Sequence, residues 1–335
     1  MVGLPGPRLT PDNQQRLRAL NPAGVILFDR NLDSPDQTAH LLDGVRGLLS
    51  GPACLALDQE GGRVSRLRRW IGNTPTAAEL ARSDGRSVRR FARVTARGLR
   101  SLGFNVDFAP VVDLCAPDAP NGIGDRSYGT DPEHVAAMAG EFLLGLREGG
   151  VAGCLKHFPG LGDSAVDSHV ELPTVSRSVE QLEREDLLPF QRLGDRTDAI
   201  MVGHGYYPAL DPDRPLPATC SANVIEGLLR SRLGYTGLVV SDDLEMGAVS
   251  SLDHHGMAAV RAIAAGCDLL LYCADLARAE RAARALEQAA DRDPAVRRRL
   301  EQAIGRVNAT AESWSVSTPD LVAWESARAD LTKFG

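Results

Sequence analysis

Gly24-Val25-Ile26-Leu27-Phe28-Asp29-Arg30-Asn31-Leu32 is the stretch on which the fold turns. Its first five residues, rich in Val, Ile and Leu, predict a strand buried on both faces, as in parallel sheets. A polar turn follows. Neither GxGxxG nor GxxxxGK[ST] opens there, so the phosphate-binding turn of a doubly wound nucleotide-binding sheet is missing. Short apolar runs recur at residues 54–58, 105–108, 154–157, 199–204, 216–221, 237–242 and 268–273, the run at 216–221 weakened by Pro217. Between them lie segments with helical spacing: 35–49, with Leu41, Leu42, Val45 and Leu48 on one face, then 86–102, 131–148, 179–191, 221–233, 276–290 and 294–307. Asp131-Pro132 and Ser221 mark helix starts, and Gly149-Gly150 marks a stop.

Strand and helix thus alternate about eight times, which implies right-handed βα units and a parallel sheet. For a chain of 335 residues, eight such units predict an α/β fold of the (β/α)8 TIM-barrel type rather than an open sheet. No internal repeat is visible. The expected organisation is one barrel domain over residues 1–312. A tail over 313–335 follows, in which a linker-like stretch leads to a short helix that docks through Trp324.

Composition narrows the function classes. With 37 basic and 44 acidic residues the formal net charge is −7, the wrong sign for a nucleic-acid-binding surface. At 43% hydrophobic and 24% charged, disordered and collagen-like architectures are excluded. No apolar run approaches the roughly 20 residues that span a bilayer, so no membrane insertion is expected. The start, Met1-Val2-Gly3-Leu4-Pro5-Gly6-Pro7, lacks the charged and apolar parts of a secretion signal. The six cysteines are scattered without CxxC spacing, predicting buried thiols in a reducing cytoplasm and no zinc site. Only Lys156 and Lys333 are lysine; every other basic residue is arginine. A lysine kept mid-chain in such a background marks a position that needs a compact ammonium.

In a barrel of this type functional side chains gather at the C-terminal ends of the strands. Those ends read Asp58, Asp107, Lys156-His157, His204 and Asp242. Singly, each is satisfied by a turn or cap role; converging on one rim, they predict a site. Asp58 opens Asp58-Gln59-Glu60-Gly61-Gly62-Arg63-Val64, which is either a tight turn or a carboxylate that accepts hydrogen bonds from ligand hydroxyls. Lys156-His157 leads into a Gly/Pro-rich loop ending in Asp167-Ser168-His169, where a carboxylate two residues from an imidazole can fix its tautomer and support its protonated form. Asp242 begins Asp242-Asp243-Leu244-Glu245, which reads equally as a capping-box variant and as a strand-end nucleophile.

The segment Lys156-His157-Phe158-Pro159-Gly160-x-Gly162-Asp163-x-x-x-Asp167-Ser168-His169-x-x-Leu172-Pro173 resembles the signature of glycoside hydrolase family 3, in its single-domain bacterial β-N-acetylglucosaminidase branch. The similarity spans about residues 20–275 in family order, taking in Leu57-Asp58-Gln59-Glu60-Gly61-Gly62-Arg63-Val64, Asn105-Val106-Asp107-Phe108-Ala109-Pro110-Val111-Val112-Asp113, Arg126-Ser127-Tyr128-Gly129 and Ser241-Asp242-Asp243-Leu244-x-Met246. It implies that Asp242 is the nucleophile of a retaining glycosidase and that His169, paired with Asp167, is the acid/base. It also implies that Asp58, Arg126, Lys156 and His157 hold the sugar. The implied substrate is a carbohydrate, with terminal N-acetylglucosamine of glycans or peptidoglycan turnover fragments as the family expectation, and no cofactor or metal. The chain departs from the pattern at Leu161, where the family usually has His, so retained chemistry with altered loop packing is expected. The second α/β domain of many β-glucosidase relatives is not expected. A phosphorylase or β-glucosidase on the same barrel, a metal-dependent hydrolase using His157, His169, Asp58 and Asp242, and a non-catalytic glycan-binding barrel are the alternatives.

Overall fold

The computed structural model describes residues 1–164, 171–250, 252–314 and 317–335. Eight parallel strands form one sheet in chain order: β1 (Val2–Gly3), β2 (Gly24–Ile26), β3 (Cys54–Leu57), β4 (Val106–Asp107), β5 (Ala152–Phe158), β6 (Ala199–Val202), β7 (Leu238–Asp243) and β8 (Leu269–Leu271). The sheet closes on itself. Val2 bridges Tyr272 in parallel, with Gly3 N donating to Tyr272 O at 2.8 Å. The chain is a (β/α)8 barrel.

The expected number of strands holds, but not every member. Residues 216–221 form no strand; they make a 3-10 turn at Ala218–Cys220, because Pro217 has no N–H to give a ladder. The strand that makes up the number is instead β1, Val2–Gly3, two residues long and too short to show a pattern of its own. The Gly24 strand is therefore second in the barrel, and Lys156 lies on the fifth. The helix expected over 179–191 is two, Val179–Arg184 and Leu188–Leu193, the second with Pro189 in its first turn. Helices Pro11–Leu20 and Met257–Ala265 complete the outer ring.

Along the strands, side chains buried on both faces alternate between two cores with period two. Val25, Leu27, Leu55, Leu57, Leu155, Ile200 and Val239 belong to the large core packed under the helices. Ile26, Ala56, Val106, Cys154, Met201, Val240 and Leu271 form a second cluster, the filling of the barrel. At the N-terminal end Trp314 joins this inner cluster, its indole N–H donating to Asp198 at 3.3 Å, so the filling is capped on that side. All six cysteines are buried and unpaired. Helix Leu321–Leu331 lies against helix Gly85–Leu102. Its Trp324 is buried edge-on to Trp70 (ring centroids 5.7 Å apart), and Asp320 N donates to Ser101 O. Among the described residues no helix is long and apolar enough to cross a membrane.

Candidate active site

The inner register carries straight into the chemistry. Ala56, Cys154 and Val240 point into the barrel, so Asp58, Lys156 and Asp242, each two residues further, come out at its C-terminal mouth. They line a cleft of about 410 Å³ together with Glu60, Arg126 and His157, a size suited to a small ligand. Phe28, Leu161, Met201 and Met246 supply apolar wall, and Arg30, Arg63 and Arg66 lie at the same opening.

Lys156 is the centre of an ionic cluster. Its Nζ lies 2.9 Å from Asp58 Oδ1 and 2.5 Å from Glu60 Oε1. Arg126 grips the same Glu60 in a two-pronged pair, Nε and Nη2 each 2.8 Å from a carboxylate oxygen. Burial alone would raise the Glu60 pKa, yet Arg126 and Lys156 together hold it well below the ordinary carboxylate range. Burial likewise opposes the Lys156 charge, but Asp58 and Glu60 outweigh it and keep the ammonium protonated. Asp107 behaves in the opposite way. It is fully buried, accepts a hydrogen bond from Gln59 N at 2.8 Å and, among the described residues, has no partner for Oδ2; burial drives its pKa well up. It props the turn after β3 and does not line the cleft.

His157 is oriented by Asp113, whose Oδ2 lies 2.7 Å from Nδ1 and whose Oδ1 accepts Leu161 N at 2.7 Å. A carboxylate there fixes the proton on Nδ1. His204 is wholly buried, with Nδ1 at 2.8 Å from Thr219 Oγ1 and Nε2 donating to Asp243 O at 2.8 Å. It supports the end of β7 and does not line the cleft, so its place in the expected rim cluster is corrected to a buttress.

Asp242 is half-buried in the cleft and accepts Asp243 N on Oδ1 at 2.8 Å. Enclosure pushes its pKa up, but His204, His157, that amide and Lys156 prevail, so the carboxylate is held below its usual value. The capping-box reading does not describe this segment. Glu245 instead accepts Ala274 N at 2.6 Å and Asp275 N, tying the end of β7 to the start of helix Leu276–Arg292. The Gly61-Gly62 turn reading does hold: Gly61 has φ +104° and an added Cβ would lie 2.5 Å from Pro75 O.

Of the expected site residues, Asp58, Arg126, Lys156, His157 and Asp242 come together on one cleft. Asp167 and His169 lie outside the described residues. Two side chains escaped the sequence reading. Glu60 ties Lys156 to Arg126, and its spacing of two from Asp58 was the available signal. Asp113, two beyond Val111 on the run after β4, orients His157. Among the described residues no group of three or more His, Cys, Asp or Glu side chains is placed to hold a metal ion.

The comparisons with known proteins agree with this geometry. The family model described as "Glycosyl hydrolase family 3 N terminal domain" matches residues 3–310. A beta-hexosaminidase of Pseudomonas aeruginosa (strain LESB58) is 38% identical over 297 residues, covering 86% of each chain. One from Alkalilimnicola ehrlichii is 41% identical over 281 residues, covering 82% of this chain and 80% of its own. Among solved structures, a glycoside hydrolase family 3 beta-N-acetylglucosaminidase from Paenibacillus sp. str. FPU-7 superposes with a TM-score of 0.89 at 37% identity. That match covers 99% of this chain and 66% of the longer neighbour. A barrel matched over nearly its whole length, with acids and cations gathered at its mouth, places the chain in glycosyl hydrolase family 3, and it is a glycosidase.

Proposed function

We propose that the protein is a retaining β-N-acetylhexosaminidase that removes terminal N-acetylglucosamine from glycans or cell-wall turnover fragments. The observation that carries this reading is Asp242: an ionised, half-buried carboxylate at a strand end, sharing one cleft with Lys156, His157, Asp58 and Arg126. In the first step Asp242 attacks the anomeric carbon through an oxocarbenium-like transition state, and the leaving oxygen takes a proton from His169, oriented by Asp167. A covalent glycosyl–Asp242 ester results. In the second step the now neutral imidazole deprotonates water, which releases the sugar. Asp58, Lys156, His157 and Arg126 bind the hydroxyls of the ring, the charged members making the stronger hydrogen bonds.

The test is a panel of nitrophenyl glycosides with the product sugar analysed with and without phosphate. N-acetylglucosaminide is expected to be the best substrate and free sugar the product in both buffers. Sugar 1-phosphate would make the enzyme a phosphorylase, and a flat panel would leave a binding barrel. Asp242→Ala is expected to abolish turnover. His169→Ala is expected to lose about 10²–10⁴-fold on poor leaving groups and much less on nitrophenol.

A further inference from the structure

The turn over residues 159–164 forms one wall of the cleft, through Leu161 and Ser164, and lies beside His157. It is held from several sides. Tyr207 Oη donates to Gly160 O at 2.6 Å, Asn121 Nδ2 to Gly162 O at 2.7 Å, and Leu161 N to Asp113. Behind it lies Asp186, whose side chain is 1% exposed and packs directly on Gly160, where an added Cβ would come within 2.9 Å of Asp186 Cβ. Among the described residues neither oxygen of Asp186 has a hydrogen-bond partner. Its counter-charge is Arg177, with Nε 3.7 Å away. The same guanidinium bonds Glu185 Oε2 through Nη1 at 2.5 Å and reaches Asp163 Oδ2, on the turn itself, at 3.4 Å.

One guanidinium therefore faces three carboxylates, two at the break between helices Val179–Arg184 and Leu188–Leu193 and one on the turn. For stability alone this is a poor arrangement. A carboxylate buried without a donor costs free energy that a neutral side chain would not. What the arrangement does achieve is a charged tie between the turn and the break between the two helices behind it.

We propose that Arg177 is a positioning residue for hydrolysis, bracing the turn so that Leu161 and His157 are presented to the sugar in one fixed geometry. The proposal rests on the glycosidase reading above. Small displacements at such a wall are costly, since a misplacement of about 1 Å can lose about 10²-fold in rate.

The experiment compares wild type, Arg177→Ala, Arg177→Lys and Asp163→Asn on nitrophenyl N-acetylglucosaminide, with kcat and KM determined separately and thermal melts run in parallel. Arg177→Ala is expected to lower kcat at least about tenfold while the folded protein persists. Arg177→Lys keeps the charge but not the fork, and is expected to recover only part of the loss. Asp163→Asn, at a half-exposed position, cuts the tie at the turn alone and is expected to lower kcat several-fold with no change in melting. Should Arg177→Ala fail to fold, Asp163→Asn decides. An active wild type with unchanged kcat and KM in the folded variants overturns the brace. A wild type inactive on the whole glycoside panel overturns the hydrolase reading instead, and the brace with it.

Discussion

Lys156 Nζ lies 2.5 Å from Glu60 Oε1, and both side chains are almost wholly buried at the barrel mouth. Removing one partner leaves the other charge stranded in a low-dielectric site. Glu60→Gln is therefore expected to destabilise the fold by about 3–5 kcal/mol at pH 7 and to lower activity by loosening Lys156 and Arg126. The Glu60 pKa is depressed in the folded state, so its stabilisation is full above the unfolded value near 4.5 and fades as pH falls below it. Chemical denaturation of wild type and variant at pH 7 and pH 3.5 checks this: the gap is expected to narrow at the lower pH. A gap that widens on acidification would refute the assignment.

Asp113 orients His157, one of the residues proposed to bind the sugar. Asp113→Asn keeps the size of the side chain but removes the carboxylate that holds the proton on Nδ1. The expected result is a loss in kcat/KM of about 10- to 100-fold, the scale seen when an orienting partner is removed. The imidazole N–H signal in proton NMR supplies the independent readout, since the Nδ1 proton held by Asp113 is expected to exchange faster with solvent in the variant.

Asp242 is already ionised well into the acid range, because the surrounding cations and the Asp243 amide outweigh its burial. Its titration cannot set an acid limb of kcat/KM near pH 5–6. Any such limb must belong to another group, and Asp242→Glu is expected to lose activity without moving it. A limb that shifts with this substitution would return the titration to Asp242.

Asp186 makes the opposite prediction. Burial, only partly offset by Arg177, raises its pKa from 3.8 to about 6. Ionisation is thus penalised in the folded state, and the penalty grows as pH rises from about 4 to 6 and is constant above that. Asp186→Asn is expected to raise stability at pH 7.5 by about 3 kcal/mol, with little gain at pH 4, while lowering kcat. Melting curves at the two pH values decide it.

Fold class was legible because strands buried on two faces and helices buried on one leave different periodicities, and these recur in order along the chain. The details that failed each have a local cause. Val2–Gly3 has no room to show a period, and Pro217 breaks a run that composition alone calls apolar. The site was legible where a polar residue ends an apolar run, as at Asp58, Lys156 and Asp242. His204 satisfies the same rule yet turns into the core, because Thr219 and the Asp243 carbonyl offer it two partners there. Glu60, in the short hairpin strand Gln59–Gly61, and Asp113, in the loop after Val106–Asp107, lie outside the barrel strands, where side-chain direction depends on loop geometry that no barrel periodicity records.

The alternation that sends Cys154 inward and Leu155 outward also ties the reactive groups to the packing below them. Exchanging one residue type for another at the rim leaves the layers beneath unchanged. Losing a single residue within Leu238–Asp243 would turn Asp242 toward the surrounding helices and put its neighbours out of phase at once. This enzyme can thus change its chemistry by point substitution, while shifts of chain length are absorbed only in the loops between strands.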